Sequence, residues 1–117
     1  MDQGPIYFET RAHVLLCTGP RCSHAGSRRI LEQSTVELER LRVAYYKDGG
    51  SVRLTECGCL GACAYGPTAV AYHGGPGGAL REAWYVGLDG RRLVRLATAL
   101  HDGTPMPGEG RFDPPRG

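Results

Sequence analysis

The fold of this 117-residue chain is decided by residues 11–22, whose sequence is Arg-Ala-His-Val-Leu-Leu-Cys-Thr-Gly-Pro-Arg-Cys. The stretch becomes apolar toward Leu16, which predicts a buried strand that delivers Cys17 at its carboxyl end. A Gly-Pro pair fixes a turn directly afterwards, and Cys22 follows that turn. The first two cysteines therefore lie on a short loop that begins where a strand ends.

A second pair of cysteines, Cys59 and Cys63, follows a predicted strand over residues 51–55 in the same way. The two pairs enclose four and three residues, and glycines lie inside and beside both loops. Thiolates at these spacings can converge from two loops onto one small inorganic centre, and iron–sulfur clusters need thiolate ligands. The pattern predicts a [2Fe–2S] cluster with four ligands, Cys17, Cys22, Cys59 and Cys63.

Two other uses of cysteine compete with this interpretation. A structural zinc site is the stronger rival, although paired zinc ligands usually enclose two residues. A disulfide-exchange site is the weaker one, because the chain has no Cys-x-x-Cys motif. A fifth thiol, Cys57, lies two residues before Cys59. We expect Cys57 to be a non-ligand near the cluster, the alternatives being a substitute ligand or a redox-sensitive group.

The rest of the pattern predicts a small α/β domain. After the strand at 11–16, the expected elements are a helix at 27–46, strands at 51–55, 68–72 and 83–86, and a helix at 89–101 that Asp89 caps and Gly103 stops. The first helix should join two parallel strands by a right-handed crossover, and the glycine-rich connector at 73–82 should join an antiparallel hairpin. The prediction is a mixed four-stranded sheet with two helices on one face.

Composition limits the classes of function. The formal net charge of +2 is too small to argue for nucleic acid, and the basic residues are scattered among acidic ones. No run approaches the ~18 apolar residues needed to cross a membrane. Residues 1–5 lack the basic and apolar regions of a signal peptide. We therefore expect a cytoplasmic protein whose thiols stay reduced.

The chain resembles the thioredoxin-like [2Fe–2S] ferredoxins, which are related to the cluster-bearing small subunit of NADH dehydrogenases and hydrogenases. The resemblance covers roughly residues 11–102 and rests on both cysteine spacings, the Gly-Cys-Leu-Gly-x-Cys motif at 58–63, the Tyr-Gly-Pro that follows it, and the later Trp84-Tyr85 strand. It implies a thioredoxin-like fold over residues 11–103, between a lead-in at 1–10 and a Pro/Gly-rich tail at 104–117. It also implies a homodimeric, low-potential, one-electron carrier whose cluster lies near the surface between two loops.

These features together predict a ferredoxin that carries one electron between a reductase and an acceptor enzyme. It should not itself be an enzyme, because the sequence offers no convincing nucleophile–base set and no second cofactor motif. The alternatives are a redox-sensing or regulatory Fe–S protein and a structural zinc module. A basic group on the second helix, Arg91, Arg92 and Arg95, is either a solvated face or a docking site for an acidic redox partner. Aromatic residues of the predicted hairpin are expected in the core or at a dimer interface.

Overall fold

A computed structural model describes residues 10–19, 26–47, 49–58, 66–74 and 80–112. Its elements follow one another as β1 Ala12–Cys17, α1 Ser27–Arg40, β2 Val52–Cys57, β3 Ala69–Gly74, β4 Leu80–Tyr85, α2 Gly90–Asp102 and β5 Arg111–Phe112. The strands form one sheet in the order β2-β1-β3-β4-β5, with β1 and β2 parallel and all other neighbours antiparallel. The α/β class, the parallel β1-α1-β2 unit and the antiparallel hairpin are confirmed.

The central strand β1 sorts its side chains between the two faces of the sheet. Ala12, Val14 and Leu16 point to one face and are at most 3% exposed, whereas His13 and Leu15 point to the other face and are half-buried. Burying an aliphatic side chain of the size of Val or Leu is worth about 1.5–3 kcal/mol. A slip of one residue would exchange the two sets, so this burial fixes the register of β1.

Both helices cover the face to which Leu16 points. Buried residues of α1 (Ile30 and Leu38) and of α2 (Leu93 and Leu96) form one core cluster with the buried residues of β1. The prediction that both helices lie on one face is confirmed. The other side of the sheet, which we call the open face, carries no helix among the described residues.

The first helix is shorter than predicted. α1 ends at Arg40 rather than at Tyr46, and Arg42 adopts the left-handed conformation with φ of 60°. The chain then turns inward, so that Val43 and Ala44 are buried. The backbone N–H of Val52 donates to the carbonyl oxygen of Val43 at 3.0 Å. Pairing with the start of β2 therefore replaces the last predicted turns of helix.

The second helix begins and ends where the sequence predicts. The side chain of Asp89 accepts a hydrogen bond from the backbone N–H of Arg92 at 2.8 Å, as an N-cap does. Gly103 follows the last turn with φ of 73°, a conformation that costs a residue with a Cβ atom about 1–2 kcal/mol. Both predicted signals are confirmed.

A fifth strand lies in the segment that the sequence assigns to a tail. Arg111 and Phe112 pair with Tyr85 and Trp84 of β4, and the Tyr85 hydroxyl donates to the carbonyl oxygen of Pro107 at 2.7 Å. The sheet thus has five strands where four were predicted. A two-residue strand has no detectable alternation, and tertiary contacts rather than local pattern specify it.

Several predicted features concern residues outside the described ranges. They are most of the lead-in (1–9), the hairpin tip (75–79) and the last five residues (113–117). Within the part of the chain that the structure describes, no helix combines the length and the apolar character needed to span a membrane.

Candidate functional site

Cys17 is fixed at the end of the central strand. It is the last residue of β1 and is 0% exposed. Its backbone N–H donates to the carbonyl oxygen of Thr68, just before β3, at 2.8 Å. On the other side, Cys17 is in register with Cys57, and the backbone N–H of Thr18 donates to the carbonyl oxygen of Cys57 at 3.0 Å. Backbone hydrogen bonds to both neighbouring segments therefore hold this end of β1.

The segment that carries Cys59 and Cys63 is attached on both sides of Cys17. It starts at the end of β2 and leads into β3, and these strands lie on opposite sides of β1. Its described ends are Gly58, next to Cys57, and Gly66, two residues before Thr68. The sequence predicts that both cysteine loops lie at one edge of the sheet. The structure adds that the ends of the second loop flank Cys17.

The segment that carries Cys22 leaves the same edge. It begins at Thr18, directly after Cys17, and ends at Gly26, the residue before α1. Because parallel neighbouring strands have their carboxyl ends at one edge of a sheet, the two cysteine loops start side by side. Of the four predicted ligands, Cys17 is described by the structure. The other three, Cys22, Cys59 and Cys63, lie outside the described residues.

A short segment, Gly66 to Thr68, leads from the second cysteine loop into β3 and is held by hydrogen bonds. Gly66 has φ of 88°, and the hydroxyl of the fully buried Thr68 donates to the Gly66 carbonyl oxygen at 3.1 Å. The carbonyl oxygen of Pro67 accepts a hydrogen bond from the backbone N–H of Leu88 at 3.1 Å. The segment is thereby fastened to the turn that precedes α2.

Both helices begin at the edge where the cysteine loops lie. α1 follows the Cys22 loop, and α2 begins two residues after Leu88, which contacts Pro67. The amino end of a helix carries the equivalent of about half a positive charge. A negatively charged group bound at this edge is therefore stabilised by the direction of both helices.

The three arginines of the predicted basic group on α2 differ in their contacts. Arg92 forms an ion pair with Glu109 at 2.6 Å and also donates to the carbonyl oxygen of Gly87 at 3.1 Å. Arg91 and Arg95 are exposed and line a cleft of about 530 Å³ between α1 and α2. Arg91 thus remains at the surface close to the amino end of α2, and Arg95 is exposed near the middle of this helix.

The fifth thiol, Cys57, is half-buried and lies beside Cys17. Residues in register on neighbouring parallel strands point to the same face, which for this pair is the open face, because the preceding Leu16 belongs to the buried core. The predicted strand ends at Thr55, whereas β2 continues to Cys57 and so includes this pair. No local signal extends the strand, because the apolar alternation of Val52 and Leu54 breaks at the exposed Glu56.

His13, on the central strand β1, is hydrogen-bonded to the hydroxyl group of Thr55. The Nε2 atom of His13 lies 2.8 Å from the Thr55 Oγ1 atom. Burial, and to a lesser extent the positive charge of Arg53, lowers the pKa of His13 below its ordinary value of 6.5. His13 is therefore a neutral, hydrogen-bonded side chain of the sheet at neutral pH.

Comparison with solved structures supports the fold. A crystal structure of the wild-type thioredoxin-like [2Fe–2S] ferredoxin from Aquifex aeolicus superimposes with a TM-score of 0.57 at 24% identity, covering 83% of this chain and 91% of that one. A second structure of a thioredoxin-like [2Fe–2S] ferredoxin from Aquifex aeolicus gives a TM-score of 0.59 at 22% identity, covering 82% and 86%. At these identities the likeness establishes the thioredoxin-like fold alone.

Comparison of sequences identifies the family. No curated protein sequence matches this chain. The sequence model described as "Thioredoxin-like [2Fe-2S] ferredoxin" matches residues 8–74, which is more than half of the chain and contains all five cysteines. The chain belongs to the thioredoxin-like [2Fe–2S] ferredoxin family, so that its cofactor is a [2Fe–2S] cluster and its function is Fe–S electron transfer.

Proposed function

We propose that this protein carries one electron at a time from a reductase to an acceptor enzyme, with its cluster held by Cys17, Cys22, Cys59 and Cys63. The observation that carries the ligand assignment is the position of Cys17 between the two ends of the second cysteine loop. Gly58 follows β2 and Gly66 precedes β3, and these two strands lie on either side of β1, so the loop that bears two thiols is attached around the buried thiol of β1.

The groups described at this edge suit a [2Fe–2S] cluster. A [2Fe–2S] cluster held by four thiolates would carry a net charge of about −2 in its oxidised form and would supply one-electron transfer without a change of ligands. The amino ends of α1 and α2 supply positive charge, and the burial of Cys17 keeps solvent from one ligand. The backbone hydrogen bonds of Cys17 and Thr18 hold that ligand in place, which limits rearrangement during electron transfer.

A protein partner of this carrier would meet two exposed guanidinium groups of α2. Arg91 is exposed near the amino end of α2, at the same edge as the cysteine loops, and Arg95 is exposed near the middle of the same helix. Exposed guanidinium groups steer an acidic partner toward this edge and mainly raise the association rate. The proposal therefore includes a redox partner with an acidic docking face, in the cytoplasm.

The proposal also includes a homodimer formed through the open face. Leu15, Tyr72, Trp84 and Phe112 are half-buried on this face, and the rings of Trp84 and Phe112 lie 6.0 Å apart. Leu80 is 74% exposed. Tyrosine, tryptophan and phenylalanine are enriched at protein interfaces, so a second copy of the chain is a fitting cover for this surface.

The test is a spectrum of the protein purified without oxygen, with iron and acid-labile sulfide counted. We expect visible charge-transfer bands, two irons and two sulfides per chain, and a spin-½ EPR signal that appears after one-electron reduction. A colourless protein with one zinc per chain would refute the proposal.

The ligand set is tested by single cysteine-to-serine variants. Replacing Cys17, Cys22, Cys59 or Cys63 should bleach or destabilise the cluster. The matched control is Cys57→Ser, which removes the neighbouring thiol and should leave the spectrum nearly unchanged. Loss of the cluster in Cys57→Ser together with its retention in Cys59→Ser would overturn the assignment.

A further inference from the structure

The fifth thiol has no task in the proposed cluster site, yet the fold places it directly beside a ligand. Cys17 and Cys57 are paired residues at the ends of neighbouring parallel strands. Both side chains point to the open face. We propose that Cys17 and Cys57 form a disulfide-bond site: in the cluster-free protein, a small-molecule disulfide such as oxidised glutathione converts this pair to an intramolecular disulfide.

The spacing of the two strands suits this bond. Neighbouring strands lie about 4.7–4.9 Å apart, and the Cα atoms of disulfide-bonded cysteines lie about 4.4–6.8 Å apart. The hydrogen bond from the Thr18 N–H to the Cys57 carbonyl oxygen, 3.0 Å long, holds the strands at this spacing where the two cysteines lie. Disulfide formation also draws the Cβ atoms to about 3.5–4.5 Å. Both residues end their strands, so a small shift there strains only the terminal hydrogen bonds of Cys17 and Thr18 and leaves the rest of the strand pairing in place.

Burial sets the order of the reaction. Cys57 is half-buried, whereas Cys17 is 0% exposed, so the first attack comes from Cys57. The Cys57 thiolate attacks a sulfur of the small disulfide, forming a mixed disulfide and releasing one small thiol. The Cys17 thiolate then attacks the Cys57 sulfur and releases the second small thiol. Two protein thiols are oxidised and one small disulfide is reduced to two thiols, with no other reactant.

The consequence for the cluster rests on the proposed function. If Cys17 is a cluster ligand, a chain with this disulfide lacks one of its four thiolates and cannot be loaded until the bond is reduced. A loaded cluster, in turn, occupies Cys17 and protects the pair. Because the disulfide with Cys57 blocks loading, cluster insertion depends on the ratio of thiol to disulfide in the solution around the cluster-free chain.

The experiment treats the full-length, cluster-free protein with oxidised glutathione and maps disulfides by mass spectrometry after tryptic digestion without reduction. Trypsin separates Cys17, in peptide 12–21, from Cys22, and it leaves Cys57 in peptide 54–81 with Cys59 and Cys63. We expect a cross-link between peptides 12–21 and 54–81 in the wild type and in Cys59→Ser. The same cross-link should be absent from Cys57→Ser.

Two outcomes would overturn the proposal. One is a cross-link that persists in Cys57→Ser, which would assign the bond to another thiol of peptide 54–81. The other is a Cys57 that is found only as a mixed disulfide with glutathione. This result would show that Cys17 does not attack the Cys57 sulfur. Neither readout needs a cluster, so both remain valid if the protein proves to be no electron carrier.

Cluster reconstitution then tests the consequence separately. Oxidised wild-type chain should take up iron and sulfide only after treatment with dithiothreitol, whereas Cys57→Ser exposed to the same oxidant should load without it. Equal loading of the oxidised wild type with and without dithiothreitol would contradict the role of Cys57 in insertion.

Discussion

Replacing Gly66 by alanine tests whether the return of the second cysteine loop controls retention of the cluster. Gly66 has φ of 88°, and an added Cβ atom would lie 3.4 Å from the Cα atom of Gly87, at the near limit of ordinary contact. The left-handed conformation costs a residue with a Cβ atom about 1–2 kcal/mol. The contact adds little, so we expect the free energy of unfolding to fall by about 1–2 kcal/mol.

The same strain should speed the loss of the cluster. It is relieved when the segment from Gly66 to Thr68 opens, and 1–2 kcal/mol changes such an equilibrium by a factor of about 5–30. The decay of visible absorbance in the presence of an iron chelator, well below the unfolding temperature, should therefore be about 5–30 times faster than in the wild type.

Gly103→Ala is the matched control for this experiment. Gly103 has φ of 73° with no atom within 4 Å of an added Cβ, so the backbone cost is the same. It follows the carboxyl end of α2, where Arg11 donates to the carbonyl oxygen of His101, at the opposite edge of the sheet from Cys17. We expect a similar loss of stability and no faster decay of the cluster. Equal decay rates in the two variants would refute the reasoning.

Three further predictions concern the core, the pH dependence of stability and the open face. Leu16→Ala should lower the free energy of unfolding, measured in urea, by about 2–5 kcal/mol. Leu15→Ala, on the open face, should lower it by less than half as much. Equal losses in the two variants would contradict the assignment of faces. Because the pKa of folded His13 lies below 6.5, the unfolded chain binds the proton first as pH falls, so stability should decline below about pH 6.5. His13→Gln should reduce this decline, and an unchanged pH profile would argue against the burial of the imidazole. Trp84→Arg should convert the proposed dimer to a folded monomer in sedimentation velocity, and a wild type that is monomeric at micromolar concentration would refute the dimer.

The strands and helices that the sequence predicts well are those with a local signal. The apolar run that ends in Cys17 predicts β1, and Asp89 and Gly103 bound α2 because an N-cap hydrogen bond and a positive φ are local requirements. The family of the chain is likewise predictable, because the cysteine spacings are properties of the sequence itself.

The features that escape the sequence depend on distant contacts. The spacing of Leu41 and Tyr45 fits a helix, but burial of Val43 and Ala44 against β2 ends α1 at Arg40. The pairing of Cys57 with Cys17 depends on the register of a crossover, which no local pattern specifies. The ligand set, Cys17 included, stays a prediction that the variants above test.

The central position of β1 has a consequence for the biosynthesis of the protein. β1 is translated before β2 and β3, but it lies between them in the sheet. A nascent chain that stops before Thr68 therefore presents Cys17 without the carbonyl group that accepts its backbone N–H. The backbone groups that hydrogen-bond with Cys17 and Thr18 are present once β3 has left the ribosome. On the proposed ligand set, cluster insertion therefore follows the synthesis of Gly74, and iron and sulfide would be delivered to a chain released at least that far.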